Sequence, residues 1–84
     1  MCKELDKLRE EWEKGMQIIV EKEIEMIGNT KKIVVLRDKN DRYFIHRYWF
    51  SQLQGKWQIS VDLQDATLSE LLEFLLENAY YERR

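Results

Sequence analysis

A chain of 84 residues, 44% hydrophobic and 36% charged, with a formal net charge of −2, describes a single domain near the lower size limit for an unaided core. The absence of proline and the presence of only three glycines exclude linkers and low-complexity tracts, and one cysteine, Cys2, excludes an internal disulfide. The longest aliphatic runs, residues 18–20 and 33–36, exclude a membrane-spanning helix, and residues 1–6 lack the apolar run of a signal peptide, so a cytoplasmic location is expected.

Residues 3–14 read as a helix, because Leu5, Leu8 and Trp12 recur at helical spacing among charges. Gly15 follows as a left-handed cap. Residues 16–27 carry two readings. As a helix, Trp12, Met16, Val20, Ile24 and Ile27 recur at three- or four-residue steps. As a strand, Ile18, Val20, Ile24 and Met26 alternate with Glu21, Glu23 and Glu25, and the β-branched content and flanking glycines favour this form.

Residues 32–37 read as a strand centred on Ile33, Val34, Val35 and Leu36. The polar cluster Asp38, Lys39, Asn40 and Asp41 turns the chain into a return strand over residues 42–50. Setting Arg37 opposite Arg42 places Leu36 beside Tyr43 and Val34 beside Ile45. After a loop at residues 51–55, residues 56–63 alternate most clearly: Trp57, Ile59, Val61 and Leu63 against Lys56, Gln58, Ser60 and Asp62. Thr67, Leu68, Ser69 and Glu70 form a capping box, opening an amphipathic helix with apolar Leu68, Leu71, Leu72, Leu75, Leu76 and Ala79.

The expected fold is α+β over residues 1–84. It comprises an N-terminal helix, an antiparallel meander of four strands (three if 16–27 is helical) and a C-terminal amphipathic helix packed on one sheet face. In this register Val34, Leu36, Tyr43, Ile45, Trp49, Trp57, Ile59, Val61 and Leu63 share the face that takes both helices. Arg47 falls on that same face and needs a carboxylate or an escape to the edge, unless a bulge near it reconciles the register. The other face, bearing Ile33, Val35, Phe44, Tyr48 and Phe50 with Arg37, Arg42, His46 and Lys56, is left without cover.

Charge follows the same division. Residues 1–30 carry five basic and eight acidic groups, residues 31–57 seven basic and two acidic, and residues 58–84 two basic and six acidic. A basic, aromatic middle thus lies between two acidic ends.

No catalytic constellation emerges. His46 is the only histidine, so a His-pair metal site is excluded, and no phosphate-cradling glycine loop exists. The glutamates at 10, 11, 13, 21, 23 and 25 read as solvated faces, and Cys2 as an exposed thiol. Neither a cofactor nor a metal is expected. The expected contact residues are Arg37, Arg42, Phe44, His46, Tyr48, Phe50 and Lys56. Aromatic and arginine side chains dominate protein-contact hot spots, so a non-enzymatic interaction or regulatory module, self-associating as a homodimer, is the first reading. Single-stranded nucleic-acid binding by base stacking on the same face is the alternative. Both readings require the rings of Phe44 and Tyr48 to be accessible.

In element order the helical form of 16–27 resembles the double-stranded-RNA-binding domain, although Asp65, Ala66, Thr67, Leu68, Ser69 and Glu70 stand where that family carries lysines. The strand form resembles the single-strand-binding coactivator and Whirly-type folds, and in size and acidity the chain is similar to phage-encoded inhibitors of host enzymes.

Overall fold

A computed structural model describes residues 3–26 and 29–78. Cys2, Ile27, Gly28 and residues 79–84, with the expectations attached to them, lie outside the described residues. The order is helix α1 (Lys3–Trp12), strands β1 (Gln17–Met26), β2 (Asn29–Arg37), β3 (Tyr43–Ser51) and β4 (Lys56–Ala66), and helix α2 (Leu68–Asn78). The strands form one antiparallel meander in the order β1-β2-β3-β4. Residues 17–26 are therefore a strand, as their β-branched content favours.

Local chemistry sets the element ends. Helix α1 ends at Trp12, two residues short of the expected end, and Gly15 takes φ +77° in the turn that follows, where the chain reverses toward β1. At the start of α2 the Glu70 amide donates to Thr67 Oγ1 (3.2 Å), while the Thr67 amide donates to Glu70 Oε1 (2.8 Å), the reciprocal arrangement the capping box predicts.

The turn between β2 and β3 departs from expectation by one residue. Asp38 and Arg42 close it: the Asp38 amide donates to the Arg42 carbonyl, and Asp38 Oδ1 accepts from the Asn40 and Arg42 amides. Asp41 adopts φ 60°, a left-handed conformation open to aspartate at modest cost, so the loop is three residues rather than four. Arg37 consequently sits opposite Tyr43, Leu36 opposite Phe44, Val35 opposite Ile45 and Val34 opposite His46. Side chains alternate with period two, so this slip exchanges the faces of one strand relative to its neighbour.

The exchange overturns the expected layering. Val34, Leu36 and Tyr48 pack with Leu5 of α1, joined by Leu8, Met16, Phe44, Trp57 and Ile59. Ile33, Val35 and Ile45 pack with Leu71 of α2, joined by Ile24, Tyr43, Leu63, Phe74 and Leu75. The helices lie on opposite faces of the sheet, not together on one. A sheet greasy on both sides is thereby satisfied within one short chain.

Bulges finish the arrangement. Two register shifts opposite Tyr43, Ile45 and His46 insert extra residues into β4, and they turn Leu63 away from the face that holds Trp57 and Ile59. Arg42 holds the end of this irregular stretch, with Nε 3.0 Å from Asp65 Oδ1 and Nη2 donating to the Asp65 carbonyl at 2.8 Å. Arg47 finds the carboxylate it requires in Asp62, with Nε 3.2 Å from Oδ2 and Nη2 3.3 Å from Oδ1. The Nε geometry is too poor for a hydrogen bond, so that contact acts as charge neutralisation.

Candidate functional site

The predicted contact residues do not assemble into one open surface. Phe44, His46, Tyr48 and Phe50 share a face, as alternation requires, but α1 covers its centre. Tyr48 is 0% exposed, His46 2%, and Phe44 is half-buried in the α1 cluster. Phe50, also half-buried, meets Trp57 edge-on at 5.9 Å. The basic residues go elsewhere. Arg37 donates to Gln17 Oε1 at 2.8 Å, Arg42 clamps Asp65, and Lys56 opens β4 at the rim of a shallow cleft lined by α1 and β4. The uncovered aromatic and basic face is therefore corrected to a covered one, because the hairpin register brings the even-numbered residues of β2 and β3 together under α1.

Beneath α1 lies a polar network that the sequence reading did not find. The Tyr48 hydroxyl donates to Glu13 Oε2 at 2.7 Å and lies 3.4 Å from His46 Nδ1. Arg9 holds Glu13 through both carboxylate oxygens (2.9 and 3.2 Å) and reaches across to Glu21 on β1 (3.1 and 3.2 Å). Lys32 of β2 completes the series, 3.1 Å from Glu21 Oε2. Arg9 also lies over the Tyr48 ring, 5.8 Å from its centroid. One polar thread thus runs from the buried phenol through α1 to the β1–β2 surface.

The electrostatics follow from this placement. Burial, aided by the hydrogen bond to Glu13, holds the Tyr48 phenol above its ordinary range, so it stays protonated and donating. Burial lowers the pKa of His46; Glu13 and Asp62 oppose that shift without cancelling it. For Arg9 burial works against the charge, but the hydrogen bonds to Glu21 and Glu13 outweigh it and the guanidinium is held more firmly charged. The hydrogen bond from Arg9, with help from Lys32, lowers the pKa of Glu21.

His46 is packed edge-on against Trp12 (6.3 Å), Phe44 (6.4 Å) and Tyr48 (6.2 Å). A tyrosine, a histidine and a glutamate within reach of one another resemble catalytic parts, but here the ring is walled by aromatics and the carboxylate is neutralised by arginine. The arrangement ties α1 to the sheet. Among the described residues no group of acidic, histidine and cysteine side chains could hold a metal ion, and no helix is long and apolar enough to cross a membrane.

Among the described residues, apart from the single side chains Trp12 and Leu53, apolar surface remains open as a row or run in two places. On α2, Leu68 and Leu72 are each 52% exposed and Leu76 is 83% exposed, one row at four-residue spacing beside the buried Leu71. On β1, an edge strand, Ile18, Ile19 and Val20 are all exposed around a bulge. The sequence contained the signal for the α2 row. Its six-residue apolar arc is wider than the stripe a single sheet face buries.

No family model, curated protein or solved structure matches this chain.

Proposed function

We propose that the chain is a small non-enzymatic protein-interaction module whose contact surface is the leucine row of α2. The observation that carries this reading is the exposure of Leu68, Leu72 and Leu76 on a helix whose other apolar side chains are committed to the sheet. Exposed aliphatic rows of this kind serve helix-in-groove recognition, with anchors at i, i+4 and i+8.

The kind of partner follows from charge. Between Leu68 and Asn78, α2 bears Glu70, Glu73 and Glu77 and no lysine or arginine. Pairing two copies through this row would set two helices that carry only acidic charge side by side, so a partner presenting an apolar row flanked by lysine or arginine fits better than a second copy. The bulge and the charges Glu21, Lys22, Glu23 and Glu25 on β1 are features that guard edge strands against pairing, which turns contact toward α2. Single-stranded nucleic acid draws no support from this closed form, since the rings that would stack on bases are covered.

The test is titration of the protein with a synthetic amphipathic leucine–lysine helix, with light scattering of the free protein alongside. Leu72→Glu and Leu76→Glu should weaken peptide binding by about tenfold or more, whereas Leu53→Glu, at a fully exposed loop position, should leave it unchanged. Equal weakening by all three would refute the assignment of the row. A wild-type dimer dissociated by Leu72→Glu would transfer the surface to self-association.

A further inference from the structure

The thread beneath α1 joins a short helix to a sheet that has a separate core on its other face. Of α1's ten residues only Leu5 is buried, while Leu8 packs partly and Trp12 stays 43% exposed. The opposite core of Ile33, Val35, Ile45 and Leu71 does not involve α1 at all. A helix of this length is marginal in water once detached, so leaving the sheet and melting would be one event. Such a unit opens locally while the rest of the fold persists.

We propose that α1 is a detachable cover over the aromatic face of the sheet, and that protonation of His46 beneath it is the trigger for release. The histidine is sealed by the cover it would displace. Trp12 at the end of α1 and Glu13 immediately after it face it, with Arg9 of α1 one step further along the same network. On β3 its neighbours are Tyr48 and Phe44. From β2 and β4 it meets Val34 and Val61 across the strands, neither able to accept a proton, and Asp62 acts on it from β4. Glu21, held by both Arg9 and Lys32, closes the far end of the thread.

A proton on the ring makes both nitrogens donors, and the acceptor within reach is the Tyr48 oxygen at 3.4 Å. Glu13, the anion that could compensate, is already engaged by Arg9 at 2.9 Å. Opening α1 lets water solvate the imidazolium and uncovers Phe44, Tyr48 and Trp57 together.

The direction follows from linkage. The closed form holds His46 neutral, with a pKa below that of the open form, which is near ~6.5. The closed form therefore has its full advantage above that pH and loses it as the pH falls, until the closed-form pKa is reached. Each unit of pH within that window raises the opening constant by up to about tenfold.

The test is amide hydrogen exchange of the wild-type chain at about pH 7.5 and about pH 5, corrected for intrinsic rates, with the dye ANS as a probe of uncovered apolar surface. Protection over residues 7–13 should fall several-fold at the lower pH while the amides of β3 and α2 hold, and ANS emission should rise. His46→Phe, and His46→Gln as a second non-titrating replacement, should abolish this pH dependence. Equal loss of protection in α1 and β3, unchanged α1 protection, or pH dependence that survives in a folded His46 variant would each overturn the proposal. Neither this device nor its test involves the leucine row of α2, so the two readings stand or fall separately.

Discussion

Tyr48→Phe isolates the bond that fastens α1 to the sheet. The substitution keeps the ring, which is fully buried, and removes only the hydroxyl that donates to Glu13 Oε2 at 2.7 Å. A hydrogen bond to a charged acceptor contributes about 1.5–3 kcal/mol. Glu13 retains Arg9 on both oxygens, so it is not left unpaired and the loss should sit at the lower end, about 1.5 kcal/mol. In urea unfolding, with a slope of about 1–1.5 kcal/mol/M for a chain this small, the midpoint should fall by roughly 1 M. The same variant removes a phenol whose pKa is raised in the fold. A raised folded-state pKa adds stability that is complete below the unfolded value of about 10 and is lost as pH rises above it. Wild-type stability should therefore decline on the alkaline side, and the variant should lack that component. A midpoint change below about 0.3 M would mean that the hydroxyl contributes nothing net, and would refute the account of α1 as tethered by this thread.

Three further substitutions test separate parts of the fold. Thr67→Ala removes the cap of α2 and should cost about 1 kcal/mol in thermal or urea unfolding, with Thr67→Ser restoring most of it. Asp41→Gly relieves the left-handed strain at φ 60° and should be neutral or stabilising by up to about 1 kcal/mol, whereas Asp41→Val should destabilise; both are read from urea midpoints. Glu21 has a lowered pKa, so its contribution is present above the unfolded value near ~4.3 and disappears as the pH falls through the folded one. Glu21→Gln should accordingly flatten the acid limb of the stability profile below about pH 4.5 and reduce its salt dependence.

The elements were legible where their signals are local. The Thr67–Glu70 box, the alternation of residues 56–61 and the glycine after α1 each depend on contacts within a few residues, and each sits where the pattern places it. The layering was not legible, because it depends on a single residue in the β2–β3 turn. Asp41 adopts a conformation usually associated with glycine, which shortens the loop and exchanges the faces of a hairpin apolar on both sides. In a strand pair with one greasy face the wrong register would have exposed itself. Here both registers bury something, and the sequence contained only one protest, the placement of Arg47. The answer to that protest, Asp62, lies in a bulge that interrupts the clearest alternation in the chain. The site beneath α1 was hidden for another reason: Glu13 and Tyr48 are 35 residues apart, and neither stands out until the helix is placed.

Geometry explains why this protein should retain open apolar surface at all. Four strands about 4.8 Å apart form a sheet roughly 15–20 Å across with its side chains, and a helix is only about 10 Å wide. One helix per face therefore roofs about half of each side, with α1 lying toward β4 and α2 toward β3 and β4. The uncovered half falls on β1 and explains the exposure of Ile18, Ile19 and Val20 on that strand. Placing the helices side by side on one face would have covered that face and left the other bare, with Tyr48 and His46 in water. The arrangement adopted trades one wholly exposed aromatic face for two partly covered ones. The side on which the cover is fastened by hydrogen bonds and ion pairs rather than by a leucine stripe is the side that can open.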